Sequence, residues 1–176
     1  EPGLSAVLGG LVPTPSRYGT VRAVSDTAAK DVLRDLIGAV GAPVVLHCCA
    51  DRPPLGVLAD VGAAAVGIDA TRPAVAGRTA QPAALDEIGA VWDAGTPLLL
   101  GLVPSSAPGR PTTSRELARP AFDLADRLGF ARERLAELAV PTPTCGLAGA
   151  DPDWARRALA LAREIGEGFV DPPEDG

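Results

Sequence analysis

Residues 43–69 read PVVLHCCADRPPLGVLADVGAAAVGID, and three consecutive pieces of this stretch carry different signals. Residues 44–48 are a short apolar run entered from Gly41 and Pro43, which reads as a buried strand. Residues 53–62 open on Pro53 and Pro54 and close on Gly62, the asymmetry of a short helix. Residues 64–69 form a second apolar run. Strands that are apolar on both faces and joined through a helix belong to a parallel sheet covered by helices.

The same alternation extends in both directions. Upstream, EPGLSAVLGG and a loop rich in Pro, Gly and Thr lead to Ser25 or Asp26, either of which can cap a helix. Val32, Leu33, Leu36, Ile37 and Val40 recur along that helix at helical spacing. Downstream, a looser stretch at 70–80 precedes the helix PAALDEIGAVWDAG, residues 82–95, closed by Gly95. PLLLGLVP at 97–104 is a third strand, and SSAPGRPTTS at 105–114 is a loop.

Ser114 then caps a helix through Leu117, Ala121, Leu124 and Leu128, which Pro120 is expected to kink. LAELAVPTPT, residues 135–144, carries a fourth strand into Cys145. Asp151 caps the last helix, with Pro152 first inside it and Trp154, Ala158, Leu161 and Ile165 as its apolar stripe. Trp92 and Trp154 fit core stripes, Arg156 and Arg157 a solvated face, and DPPEDG at 171–176 a solvated end. Right-handed crossovers allow two assemblies of these four units, an open doubly wound sheet or part of a (βα)8 barrel. A full barrel needs about 250 residues, so 176 residues would supply about half.

Composition limits the function. With 47% hydrophobic and 22% charged residues, residues 1–176 are expected to form one packed, partial domain. A net charge of -6 opposes nucleic-acid binding, which needs a basic face. No apolar run approaches the roughly 20 residues of a membrane span, and no secretory-type opening is present, so a cytoplasmic location is expected. The absence of methionine points to a piece of a longer chain. The G-x-G-x-x-G, P-loop and G-x-S-x-G fingerprints are all missing.

The residues that remain for chemistry share a position. His47, Cys49, Asp69 and Cys145 each fall at or just beyond the end of an expected strand, where sites gather in parallel α/β folds. His47 and Cys49 are two apart, so on extended backbone they point the same way, and Cys48 points into the core. Two thiolates, an imidazole and a carboxylate suit zinc. Three cysteines cannot all pair within one chain, which favours free thiols or metal ligands.

VVLHCC, VGID and TPTCGLAG taken together resemble the C-terminal catalytic barrel of the cobalamin-independent methionine synthase family, closest to its short members. That family carries His-x-Cys after one strand, an acidic residue after the next and Cys-Gly-Leu after the last. The opening Glu1 and Pro2 are similar to the end of its Asp-Glu-Pro segment. The resemblance implies the C-terminal half of a (βα)8 barrel, with zinc held by His47, Cys49 and Cys145. It places Asp69 at the acidic, ligand-position site, where the family usually has the longer Glu.

It also implies homocysteine as the thiol acceptor and 5-methyltetrahydrofolate as the methyl donor, in methionine biosynthesis. The loop after the third strand usually carries a histidine that protonates the folate leaving group. Here it reads SSAPGRP, so Ser105 takes that place, beside Asp69, as a catalytic candidate. A methylcorrinoid donor, which needs less acid assistance, is the alternative; an inactive zinc-binding half-barrel is another. A half-barrel further implies a partner, either the N-terminal half of the barrel or a second copy of the chain.

Overall fold

The computed structural model describes residues 3–16, 18–76 and 81–171. Glu1, Pro2 and most of the expected solvated end at 171–176 lie outside the described residues, as does part of the looser stretch at 70–80. Four strands, β1 (Val45–Cys48), β2 (Ala65–Asp69), β3 (Leu98–Val103) and β4 (Ala139–Pro143), make one sheet. Every pairing is parallel, and the spatial order is β1-β2-β3-β4. A doubly wound sheet reverses its strand order at a switch point. This one never does, so the chain has the α/β arrangement of half a (βα)8 barrel.

Among the described residues, seven α-helices accompany the strands: α1 (Leu4–Leu8), α2 (Asp26–Val40), α3 (Leu55–Leu58), α4 (Pro82–Asp93), α5 (Ser114–Leu128), α6 (Leu135–Leu138) and α7 (Pro152–Val170). Strand order that always advances, combined with right-handed crossovers, keeps the connecting helices on one side. The sheet register explains what they cover. Leu46, Val66, Leu98 and Ala139 stand in one row across the strands, and Cys48, Ile68, Leu100 and Pro141 in the next. Cys48, Val66, Ile68, Leu98, Leu100 and Ala139 of these rows join Ile88, Trp92, Ala121, Leu124, Leu161, Ile165 and Phe169 in one core, with Leu46 packed against it. Trp92 is sealed there, with Phe130 edge-on at 5.4 Å between ring centroids.

The helix ends follow from local chemistry. Ser25 caps α2 by accepting from the Ala28 amide, and Asp151 caps α7 by accepting from the Asp153 and Trp154 amides. The expected cap at Ser114 is displaced by one residue. Thr113 accepts from the Glu116 amide while the Glu116 carboxylate takes the Thr113 amide, a reciprocal capping box that only Thr113 can form. The helix α5 runs unbroken from Ser114 to Leu128 with Pro120 inside it. The expected helix at 53–62 is only one turn, α3, followed by a 3-10 turn to Val61, with Gly62 in the left-handed conformation at its end.

The fourth strand is shorter than expected, because residues 135–138 form α6 before β4 begins. The apolar stripe of α2 also departs from expectation. Leu33 packs on the core, whereas Val32, Leu36 and Val40 are 68%, 54% and 54% exposed. Periodicity marks a face but says nothing of what lies against it. Among the described residues, no helix is long and apolar enough to cross a membrane.

Candidate metal centre

The second face of the sheet is built differently. Its rows are His47, Gly67, Leu99 and Val140, then Asp69, Gly101 and Thr142. The two glycines in these rows leave room for their neighbours. A Cβ on Gly67 would sit 2.8 Å from His47 Nδ1, so the imidazole lies over a position that only glycine leaves open. A Cβ on Gly101 would sit 2.7 Å from the Thr144 Cα and 2.8 Å from the Ile68 carbonyl oxygen. That close approach draws the end of β4 toward β2 and β3. The β3–β4 register shifts between Gly101 and Val103, and the Thr144 amide donates to the Val103 carbonyl at 2.8 Å. Cys145 is the next residue.

The result is convergence of residues almost a hundred positions apart. Cys49 Sγ and Cys145 Sγ are 3.6 Å apart, and together with a His47 ring nitrogen all three ligand atoms lie within 4.8 Å of one another. His47 and Cys49 are half-buried, Cys145 is exposed, and Cys48, between the first two, is fully buried. The alternation of an extended chain separates Cys48 from its neighbours, as the spacing anticipates. The loop after β1 is braced from the opposite direction, where Ser5 Oγ of α1 donates to the Arg52 carbonyl at 2.7 Å.

The sulfur pair has the spacing of a tetrahedral site, with the His47 nitrogen no farther than 4.8 Å from either sulfur. Zn–S bonds of about 2.3 Å and Zn–N bonds of about 2.0 Å require ligand atoms roughly 3.3–3.8 Å apart, so the two sulfurs already stand at that spacing. The donor set of two thiols and one imidazole suits zinc, and three protein ligands leave the fourth tetrahedral position for water or substrate. Burial holds the His47 imidazole below its ordinary value, against the opposing charge of Asp69. It therefore keeps the neutral form that a metal ligand needs. Burial, followed by the hydrogen bond to Cys145, pushes the Cys49 thiol up. A bound dication would act in the opposite sense, favouring the thiolate.

Asp69, at the end of β2, is occupied elsewhere. Its carboxylate accepts from the Thr71 amide at 3.0 Å and from Thr71 Oγ1 at 2.6 Å, while its other oxygen lies 2.9 Å from Arg72 Nε. Arg72 reaches on to Asp51 at 3.0 Å, tying the loop after β2 to the loop carrying Cys49. The three-residue cluster does not include Asp69. Ser105 lies half-buried just past β3, at the same end of the sheet. Its loop is pinned where Trp154 Nε1 donates to the Pro104 carbonyl at 3.1 Å.

The sequence reading passed over Gly67, Gly101, Thr71 and Arg72. For Thr71 a signal was present, since Asp followed two residues later by Thr is a pattern in which the carboxylate accepts from nearby backbone. For the glycines there was none, because their role depends on which residues stand across the register. No protein-family model matches the chain, and no curated protein matches it either.

Proposed function

We propose that the chain carries the zinc centre of a thiol methyltransferase, which moves a methyl group from 5-methyltetrahydrofolate to homocysteine in cytoplasmic methionine biosynthesis. The observation that supports this reading is the convergence of His47, Cys49 and Cys145 at the sheet's C-terminal end, with ligand atoms within 4.8 Å of one another. The same residues carry the resemblance to cobalamin-independent methionine synthase. Zinc bound there would lower the pKa of a coordinated homocysteine thiol and so supply a nucleophilic sulfur at neutral pH.

The chain's own side chains have separable parts in this reading. Cys49 and Cys145 supply negative charge, and His47 supplies a neutral nitrogen, leaving one position for the acceptor. Asp69 acts as a positioning residue, holding Thr71 and Arg72, and through Arg72 it steadies the Cys49 loop. Ser105 would offer a hydroxyl to the methyl donor from the loop after β3.

The sequence contains a single histidine, His47, so no imidazole is available in that loop to protonate a folate leaving group. This favours, as a second reading, a methylcorrinoid donor. The open sheet edges suit completion by further βα units, from the other half of a barrel or a second copy. Val45 and Val140 on the edge strands β1 and β4 are 46% and 48% exposed.

Incubating zinc-loaded protein with homocysteine and each donor in turn tests the proposal. Methionine formed from the folate supports the first reading, and methionine formed only from the corrinoid supports the second. Formation from neither, with zinc bound, would reduce the site to a structural one.

A further inference from the structure

We infer that Cys49 and Cys145 form a reversible disulfide when no metal is bound, so that oxidation and metal binding compete for the same two sulfurs. The disulfide rests on the geometry alone; the competition rests on the metal centre proposed above. The two sulfurs are 3.6 Å apart, with the Cys49 thiol directed at Cys145. A disulfide bond is about 2.05 Å long, so closure needs a movement of about 1.5 Å. Cys145 can supply it, since it is exposed and lies in the irregular segment between β4 and α7. The third thiol is excluded, because Cys48 is fully buried on the opposite face of β1.

Exposure also sets the order of the chemistry with a peroxide as oxidant. The Cys145 sulfur attacks one peroxide oxygen, the O–O bond breaks, and sulfenic acid and water form. The Cys49 sulfur then attacks the Cys145 sulfur, the S–O bond breaks, and hydroxide leaves as a second water with the thiol proton. Two thiols are oxidised by two electrons and one peroxide is reduced to two waters. A dithiol reductant reverses the step by exchange. A metal coordinated by both thiolates draws electron density from them and must leave before the S–S bond can close, while a disulfide offers no thiolate to a metal, so each occupant protects the site from the other.

The test treats reduced, metal-free protein with stoichiometric hydrogen peroxide and maps the products by mass spectrometry, with and without prior addition of one equivalent of zinc. The expected product has lost two hydrogens, yields a Cys49–Cys145 cross-linked peptide and returns to the dithiol on reduction. Zinc is expected to slow its formation at least about 10-fold, as for any ligand that occupies the reactive form tightly. Cys145→Ala is expected to abolish the cross-link and leave Cys48 reduced. Oxidation of Cys145 to sulfinic acid with Cys49 still reduced, or a cross-link through Cys48, would overturn the inference. One zinc bound per chain but no disulfide in its absence would sink this inference and leave the proposed function standing. A disulfide that forms equally fast with zinc present, in protein that binds no zinc, would overturn the competition and the metal reading together.

Discussion

The two faces of this sheet use the same four strands for opposite ends. On one, Leu, Ile, Val and Cys48 stand in rows and are sealed under α4, α5 and α7. On the other, the register sets His47 beside Gly67 and Asp69 beside Gly101, with a polar threonine next in line. The first face excludes water by filling space. The second leaves space empty, so that an imidazole can stand against Gly67 and a strand end can come close enough to Gly101 to deliver Cys145. Stability and chemistry are thus divided between alternate residues of each strand, and substitutions on the two faces should separate cleanly in what they damage.

The largest effect is expected on the sealed face. Leu100→Ala removes a fully buried side chain from the centre of the core and should cost about 3 kcal/mol in chemical denaturation. Whatever protein remains folded should still bind its metal. Loss of metal from folded Leu100→Ala protein would mean the faces are not independent.

Gly101→Ala should cost about 2 kcal/mol, because its Cβ would meet backbone atoms of β2 and of Thr144 that cannot turn aside. Unlike Leu100→Ala, it should also weaken metal binding by pushing Cys145 outward. Gly67→Ala sharpens the contrast further. Its Cβ would come closest to the His47 side chain, at 2.8 Å from the movable Nδ1, so folding stability should change less than in Gly101→Ala while zinc affinity falls about 10-fold to 100-fold. A competition titration against a zinc chelator reads that difference.

Asp69→Asn should be milder. It loses the ion pair to the half-exposed Arg72 but keeps an oxygen for Thr71, costing about 1 kcal/mol after solvent screening. Zinc content should be unchanged; its disappearance would make Asp69 a direct ligand.

The smallest effect is on pH. Because burial lowers the His47 pKa in the folded state, the unfolded chain takes up its proton first. Metal-free protein should therefore keep this contribution above the unfolded value of about 6.5 and lose it as pH falls below, in thermal melts. Replacing His47 with Gln should remove that part of the slope.

Much of this architecture was legible in the sequence. The four strands fall on apolar runs bounded by proline and glycine, because the inner strands β2 and β3 are buried along almost their whole length, whereas the edge strands β1 and β4 keep partly exposed residues. The His-x-Cys spacing gave the shared direction of His47 and Cys49 for a similarly simple reason, the two-residue period of extended chain. Spacing could not supply Gly67 and Gly101, whose importance arises only from what the neighbouring strand places opposite them. Nor could it show that Val32, Leu36 and Val40 would stay exposed, or that an arginine would engage Asp69.

Elemental analysis of the purified protein, beside Cys49→Ser and Cys145→Ser, shows whether the two distant cysteines hold one metal. About one zinc per chain is expected, as tetrahedral coordination by one shared site requires, with that zinc lost in each variant. Protein that binds no zinc, or binds it equally well without either cysteine, would make the convergence of His47, Cys49 and Cys145 a feature of packing alone.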